Sequence, residues 1–166
     1  MTVLDVSNYD ESTFDAECMV AYGVEAIILG CQREAVADRM AAKAKAAGLP
    51  IMATYAFLYF GLDTVGQTEA AIRISQKYGI PRVFLDCESG TGTEKAGIST
   101  VERVGELRTC VALVEDAGLA CGIYTGAFWW PPMRGNTTLF AHLPLWHAAY
   151  YNDGTKQQAG NYGGWT

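Results

Sequence analysis

The chain of 166 residues has no apolar run long enough to cross a membrane, so no membrane partner is expected. It also lacks an excess of basic charge. Twelve Lys and Arg stand against 18 Asp and Glu, a formal net charge of −6. An acidic chain without a basic run has no electrostatic means of holding a phosphate backbone, which excludes nucleic acid as a partner. No Gly-x-Gly-x-x-Gly follows the first apolar segment, so dinucleotide binding has no support. Ser7 and Ser89 lack the glycine-framed strand-to-helix turn of a serine hydrolase. Histidine is scarce: His142 and His147 are five apart and fit no metalloprotease spacing. The five cysteines, Cys18, Cys31, Cys87, Cys110 and Cys121, form no Cys-x-x-Cys pair. Their odd number precludes complete pairing within the chain, and four sit in apolar segments, as buried free thiols would. Neither a metal nor another cofactor is expected.

What is present is a globular composition: 50% hydrophobic and 18% charged residues, with 18 glycines. Apolar strand-like segments, Thr2 to Val6, Ala26 to Leu29, Ile51 to Phe57, Val83 to Asp86 and Cys121 to Tyr124, alternate with helical ones. The helices are read over Glu11 to Tyr22, Arg33 to Ala47, Thr64 to Tyr78 and Thr100 to Ala117. Ser99 and Glu102 have capping-box spacing at the start of the last. Gly23, Gly48, Gly79 and Gly118 each end a helix just before a new strand. This rhythm predicts an α/β chain of about five βα units with parallel strands covered on both faces. A barrel fits it best, and an open doubly wound sheet is the alternative. After Tyr124 the rhythm changes. Phe128-Trp129-Trp130-Pro131-Pro132 reads as a loop, Leu143 to Tyr150 holds a further strand, and the segment from Asn152 carries no regular signal. The whole of 1–166 is expected to be one domain.

The sharpest chemical signal is Phe84-Leu85-Asp86-Cys87-Glu88-Ser89-Gly90. Strand side chains alternate, so Asp86 and Glu88 face the same way, about 7 Å apart. They stand at the C-terminal end of a strand, where α/β barrels collect catalytic groups. Two carboxyls on one apolar strand end oppose each other's ionisation, so one keeps its proton near neutral pH. An acid beside a carboxylate is what glycosidic bond cleavage requires. The plainer alternative for an isolated Asp-x-Glu is loop capping or pairing with a buried Arg. Asp5, in Val3-Leu4-Asp5-Val6-Ser7, also ends a strand and would face the same mouth.

Aromatic residues gather at the same strand ends: Tyr55, Phe57, Tyr59 and Phe60 on the third strand, Tyr124 on the fifth, Trp146 and Tyr150 on the sixth. Sugar rings stack on aromatic planes and bond to phenol hydroxyls, so this distribution suits a saccharide cleft. Part of it, Phe84 and Phe140 included, is expected to be ordinary core.

Four segments in order resemble glycoside hydrolase family 25, the muramidases of phage and bacterial cell-wall lysis. They are Leu4-Asp5-Val6-Ser7-Asn8-Tyr9, Val83 to Glu88, Gly122-Ile123-Tyr124-Thr125, and Leu145-Trp146-His147-Ala148-Ala149-Tyr150. The resemblance implies a modified TIM-like (β/α)5β3 barrel. It implies hydrolysis of the β-1,4 bond between N-acetylmuramic acid and N-acetylglucosamine. Glu88 would be the general acid, Asp86 would support the substrate's acetamido group or the positive ring, and Asp5 would orient the sugar. Tyr55, Phe57, Tyr124, Trp146 and Tyr150 would line its sites. The partner would be peptidoglycan or another amino-sugar polysaccharide.

The sequence departs from the family in three places. The second strand ends Leu29-Gly30-Cys31-Gln32 where the family has a Lys, Ala56 stands where it has a His, and its closing strands have no counterpart before Thr166. The expected barrel is therefore incomplete at its C-terminal end. These departures keep a second reading open, a non-catalytic saccharide-binding or structural virion domain with the same fold. A chitinase-like barrel is disfavoured because Val83, Phe84 and Leu85 precede Asp86, where further alternating acids belong. The start Met1-Thr2-Val3-Leu4-Asp5 lacks a basic, apolar leader. Cytoplasmic synthesis and delivery to the wall by a phage, or export by another route, are therefore expected, with a wall-binding module or virion partner.

Overall fold

The computed structural model describes residues 1–88, 94–149 and 161–165. Its elements are β1 (Val3–Val6), α1 (Ala16–Ala21), β2 (Ala26–Gly30), α2 (Glu34–Ala46), β3 (Ile51–Phe57), α3 (Thr64–Tyr78), β4 (Arg82–Asp86), α4 (Thr100–Asp116), β5 (Ala120–Thr125), α5 (Trp130–Arg134) and β6 (Leu145–His147). All six strands lie in one sheet, in the order β1-β2-β3-β4-β5-β6, and every neighbouring pair is parallel. A doubly wound sheet would reverse its strand order at a switch point. This one never does, and it curls into a half-barrel with helices outside. Among the described residues a single strand follows the fifth βα unit, so the sheet is not a closed barrel there. No helix of the described residues is long and apolar enough to cross a membrane.

Strand alternation sorts the core into two layers. Ile27 and Leu29, Val83 and Leu85, and Cys121 and Ile123 point outward and pack with Met40, Ala71, Ile74, Leu107, Cys110 and Val114 of the helices. Leu85 and Ile123 are fully buried, each worth about 1.5–3 kcal/mol. The intervening residues face the concave side, where Ile28, Ala53, Tyr55 and Phe84 pack with Val3 and Trp146. Both faces are thus covered, as the unbroken apolar strands require.

The helix ends follow local chemistry. Ser99 and Glu102 form the reciprocal capping box at the start of α4. Gly79 closes α3 in the left-handed conformation at φ 69°, which only glycine adopts freely. Two segments differ from the sequence reading. The helix expected from Glu11 begins only at Ala16, because the Asp15 carboxylate caps the Cys18 amide at 2.9 Å and fixes the start there. The Pro131-Pro132 loop is the first turn of α5. Its two prolines occupy positions whose amides need no helical partner.

Cys31, Cys87, Cys110 and Cys121 are buried free thiols, and Cys18 is free and exposed. Burial pushes the Cys121 thiol up to about 12.

Candidate active site

The β4 terminus is fixed by its neighbours beyond the last strand residue. The Leu58 amide donates to the Asp86 carbonyl at 3.0 Å, and the Cys87 amide donates to the Tyr124 carbonyl at 2.9 Å. The Thr125 hydroxyl then donates to the Cys87 carbonyl at 3.2 Å. Alternation carries on past the strand, so Asp86 and Glu88 turn to the concave face while Cys87 turns into the outer core. The Glu88 amide donates to Asp86 Oδ1 at 3.3 Å.

These residues line one cleft of ≈ 190 Å³ at the C-terminal ends of the strands. Its walls are Asp5 from β1, Gln32 after β2, Tyr55 and Phe57 from β3, Asp86 and Glu88, Tyr124 from β5 and Trp146 from β6. Seven of these eight are residues that the sequence singles out, and all three acids meet there. Tyr150 lies outside the described residues, as do Ser89 and Gly90. Gln32 is the residue that the sequence reading missed. Its place two residues beyond the C-terminal end of β2, in the stretch where the sequence departs from the family it resembles, could have signalled it.

Asp86 is buried and Glu88 half-buried. Burial raises the Asp86 carboxyl well above the usual carboxylate range. The charges of Glu88 and Asp5 push the same way, against the hydrogen bond from the Glu88 amide. Of the Asp-x-Glu pair, Asp86 is therefore the member that burial discourages from ionising. Burial likewise raises the Tyr55 phenol, with the neighbouring Gln32 amide opposing the rise and Asp86 and Asp5 adding to it. Tyr59 is raised by burial first, then by Tyr9 and Asp86.

Trp146 is the aromatic hub. Its ring lies 4.5 Å from that of Tyr124, 5.4 Å from Phe84 and 6.3 Å from Tyr55, centroid to centroid. Phe84 is core, as expected, and supports the Trp from below the cleft. Two glycines make room for these rings. Gly30 pairs with Tyr55 and Gly122 with Phe84 in the strand register, and each aromatic leans over its partner's bare Cα.

His147 and the 161–165 segment lie behind the cleft. His147 Nδ1 and the Tyr162 hydroxyl are 2.7 Å apart, and that hydroxyl donates to the Thr125 carbonyl at 3.3 Å. Trp165 Nε1 donates to the Leu143 carbonyl at 2.9 Å. The segment that carried no signal in the sequence thus anchors β5 and the β6 region through two aromatic residues. Among the described residues no group of three His, Cys, Asp or Glu is placed to hold a metal ion.

Residues 4–166 match the family model "Glycosyl hydrolases family 25". A protein of Dictyostelium discoideum described as "Probable GH family 25 lysozyme 4" is 27% identical over 175 residues, covering 98% of this chain and 78% of that protein. A second one, "Probable GH family 25 lysozyme 3", is 29% identical over 128 residues. That match covers 74% of this chain and 26% of the relative's length. Among solved structures, a muramidase from Trichobolus zukalii superposes with a TM-score of 0.73 at 24% identity, covering 97% of this chain and 81% of that one. At that identity the likeness speaks for the fold.

Proposed function

The chain belongs to the glycosyl hydrolases of family 25, and from that membership we propose that it cleaves the β-1,4 bond between N-acetylmuramic acid and N-acetylglucosamine in peptidoglycan. The observation that carries the proposal is the meeting of Asp5, Asp86 and Glu88 in one aromatic-lined cleft, with Asp86 buried against ionisation.

In this reading Glu88 is the general acid. Two close carboxyls share their titration. Because burial disfavours the charged form of Asp86, the pair holds a proton to higher pH than two free carboxyls would, and Glu88 is the less buried member, placed to deliver it. As the glycosidic C–O bond breaks, the leaving oxygen takes that proton and the substrate's acetamido oxygen bonds to the anomeric carbon. The acetamido N–H, which gains positive character, donates to Asp86. A donor there replaces the solvent that the buried carboxyl lacks, and so favours its charged form. Glu88, now a carboxylate, takes a proton from water, whose oxygen opens the cyclic intermediate. Asp5 orients the sugar at the cleft edge, and Tyr55, Phe57, Tyr124 and Trp146 supply stacking faces and phenol hydroxyls.

The reading extends to 1–166 acting as one catalytic domain that reaches the wall by phage delivery or another export route. Release of reducing ends from purified peptidoglycan tests the activity. New N-acetylmuramic acid reducing ends support it, and no release by a folded chain rejects it.

A further inference from the structure

We infer that Gln32 is a specificity-determining residue of the cleft, its side-chain oxygen accepting a hydrogen bond from a neutral donor on the bound sugar, an acetamido N–H or a hydroxyl. The inference rests on the cleft's being a saccharide site.

Gln32 Oε1 is shielded from solvent and has no hydrogen-bond partner, although the residue lines the cleft with Asp86 and Glu88. An acceptor left in that state destabilises the fold and is rarely found without a reason. Its place is fixed from beneath. A methyl group on Gly30 would lie 2.7 Å from Gln32 Oε1 and 2.6 Å from the Tyr55 hydroxyl oxygen, so both polar atoms stand over one bare backbone point. The Gln32 side chain stands beside the Tyr55 phenol over Gly30. The rest of the lining brings three carboxyls and no Lys, Arg or His. A fully ionised donor would be drawn to those carboxyls, whereas a neutral amide or hydroxyl is matched by an uncharged acceptor held in a fixed position.

The test compares wild type, Gln32→Met and Gln32→Glu. Gln32→Met keeps length and removes both polar ends, and Gln32→Glu keeps an acceptor oxygen. Binding of the N-acetylglucosamine β-1,4 trimer and of the glucose β-1,4 trimer is followed by NMR titration, and melting temperature is recorded for each protein. Gln32→Met is expected to bind the acetylated trimer roughly three- to tenfold more weakly, the net value of one neutral hydrogen bond. Its melting temperature is expected to hold or rise, because an unsatisfied buried acceptor has gone. Gln32→Glu is expected to retain more of the binding than Gln32→Met. Loss confined to the acetylated trimer identifies the acetamido N–H as the donor, and equal loss for both trimers identifies a hydroxyl. Unchanged binding by Gln32→Met overturns the inference, and so does a lowered melting temperature with proportionate loss of both ligands. If wild type binds neither trimer and leaves peptidoglycan intact, the saccharide reading of the cleft fails, and this inference falls with it.

Discussion

The Thr125 hydroxyl donates to the carbonyl of Cys87 at 3.2 Å, joining the end of β5 to the one residue that separates Asp86 from Glu88. Thr125 is fully buried, and its own carbonyl accepts from the Tyr162 hydroxyl at 3.3 Å. The backbone between the two acids is therefore held from behind by a chain of hydrogen bonds that ends in the 161–165 segment.

Thr125→Val keeps the shape and strands the Cys87 carbonyl. Stability should fall by about 1–3 kcal/mol, the cost of a buried unpaired group, measured by urea unfolding. If the bond also aims Glu88, kcat on peptidoglycan falls while KM holds, and Thr125→Ser restores both. Unaltered kcat in a folded Thr125→Val would show that the bond supports the fold alone.

Asp86→Asn should stabilise the folded chain at neutral pH. The folded pKa of Asp86 is raised, chiefly by burial, so the folded state holds this proton more tightly than the unfolded chain does. Wild-type stability contributed by the group is intact below its unfolded value of about 3.9 and is lost as pH rises from there toward the folded value. The variant escapes that loss. Its melting temperature should exceed wild type at pH 7, with the gap closing near pH 3. For a chain of this size each kcal/mol corresponds to about 2–4 °C. In the proposed mechanism activity should drop at every pH, because Asn cannot carry the charge assigned to Asp86 beside the acetamido group. A gap that widens on acidification contradicts the burial argument.

Gly122→Ala tests the floor beneath the aromatic hub. The added methyl would meet Phe84 Cε1 at 2.5 Å and Cδ1 at 2.6 Å, with the Pro144 carbonyl at 3.2 Å. Phe84 must then shift toward Trp146, whose ring it already touches. Overpacking of this kind costs about 1–3 kcal/mol. Saccharide binding should weaken with stability, and Trp fluorescence should report the displaced indole. Wild-type stability and spectrum would mean that the floor is looser than the contacts imply.

Much of this arrangement was legible in the sequence because it depends on local periodicity. Alternation along Val83 to Glu88 places Asp86 and Glu88 together, and glycine stops such as Gly79 mark where helices yield to strands. The convergence of Asp5 with Asp86 follows once consecutive strands are parallel neighbours. What escaped the sequence depends on distant partners. Tyr162 meets Thr125 and His147 across gaps of 37 and 15 residues, which no local pattern encodes. Arg134 is buried, its guanidinium 4.0 Å from the centre of the Phe60 ring and 3.7 Å from Glu94, though a lone Arg in a Pro-rich stretch reads as surface. Gln32 was passed over because its amide becomes chemically distinctive only beside Tyr55.

The most direct test of the proposed reaction is the rate of reducing-end release from purified peptidoglycan by wild type and by Glu88→Gln, with folding of both checked by circular dichroism. The substitution keeps the shape and removes the acid. A drop of about a hundredfold or more, the range for loss of a general acid, is the result expected if Glu88 protonates the leaving oxygen. Equal rates in the two folded proteins would contradict that assignment and move the search for the acid to the neighbouring carboxyls.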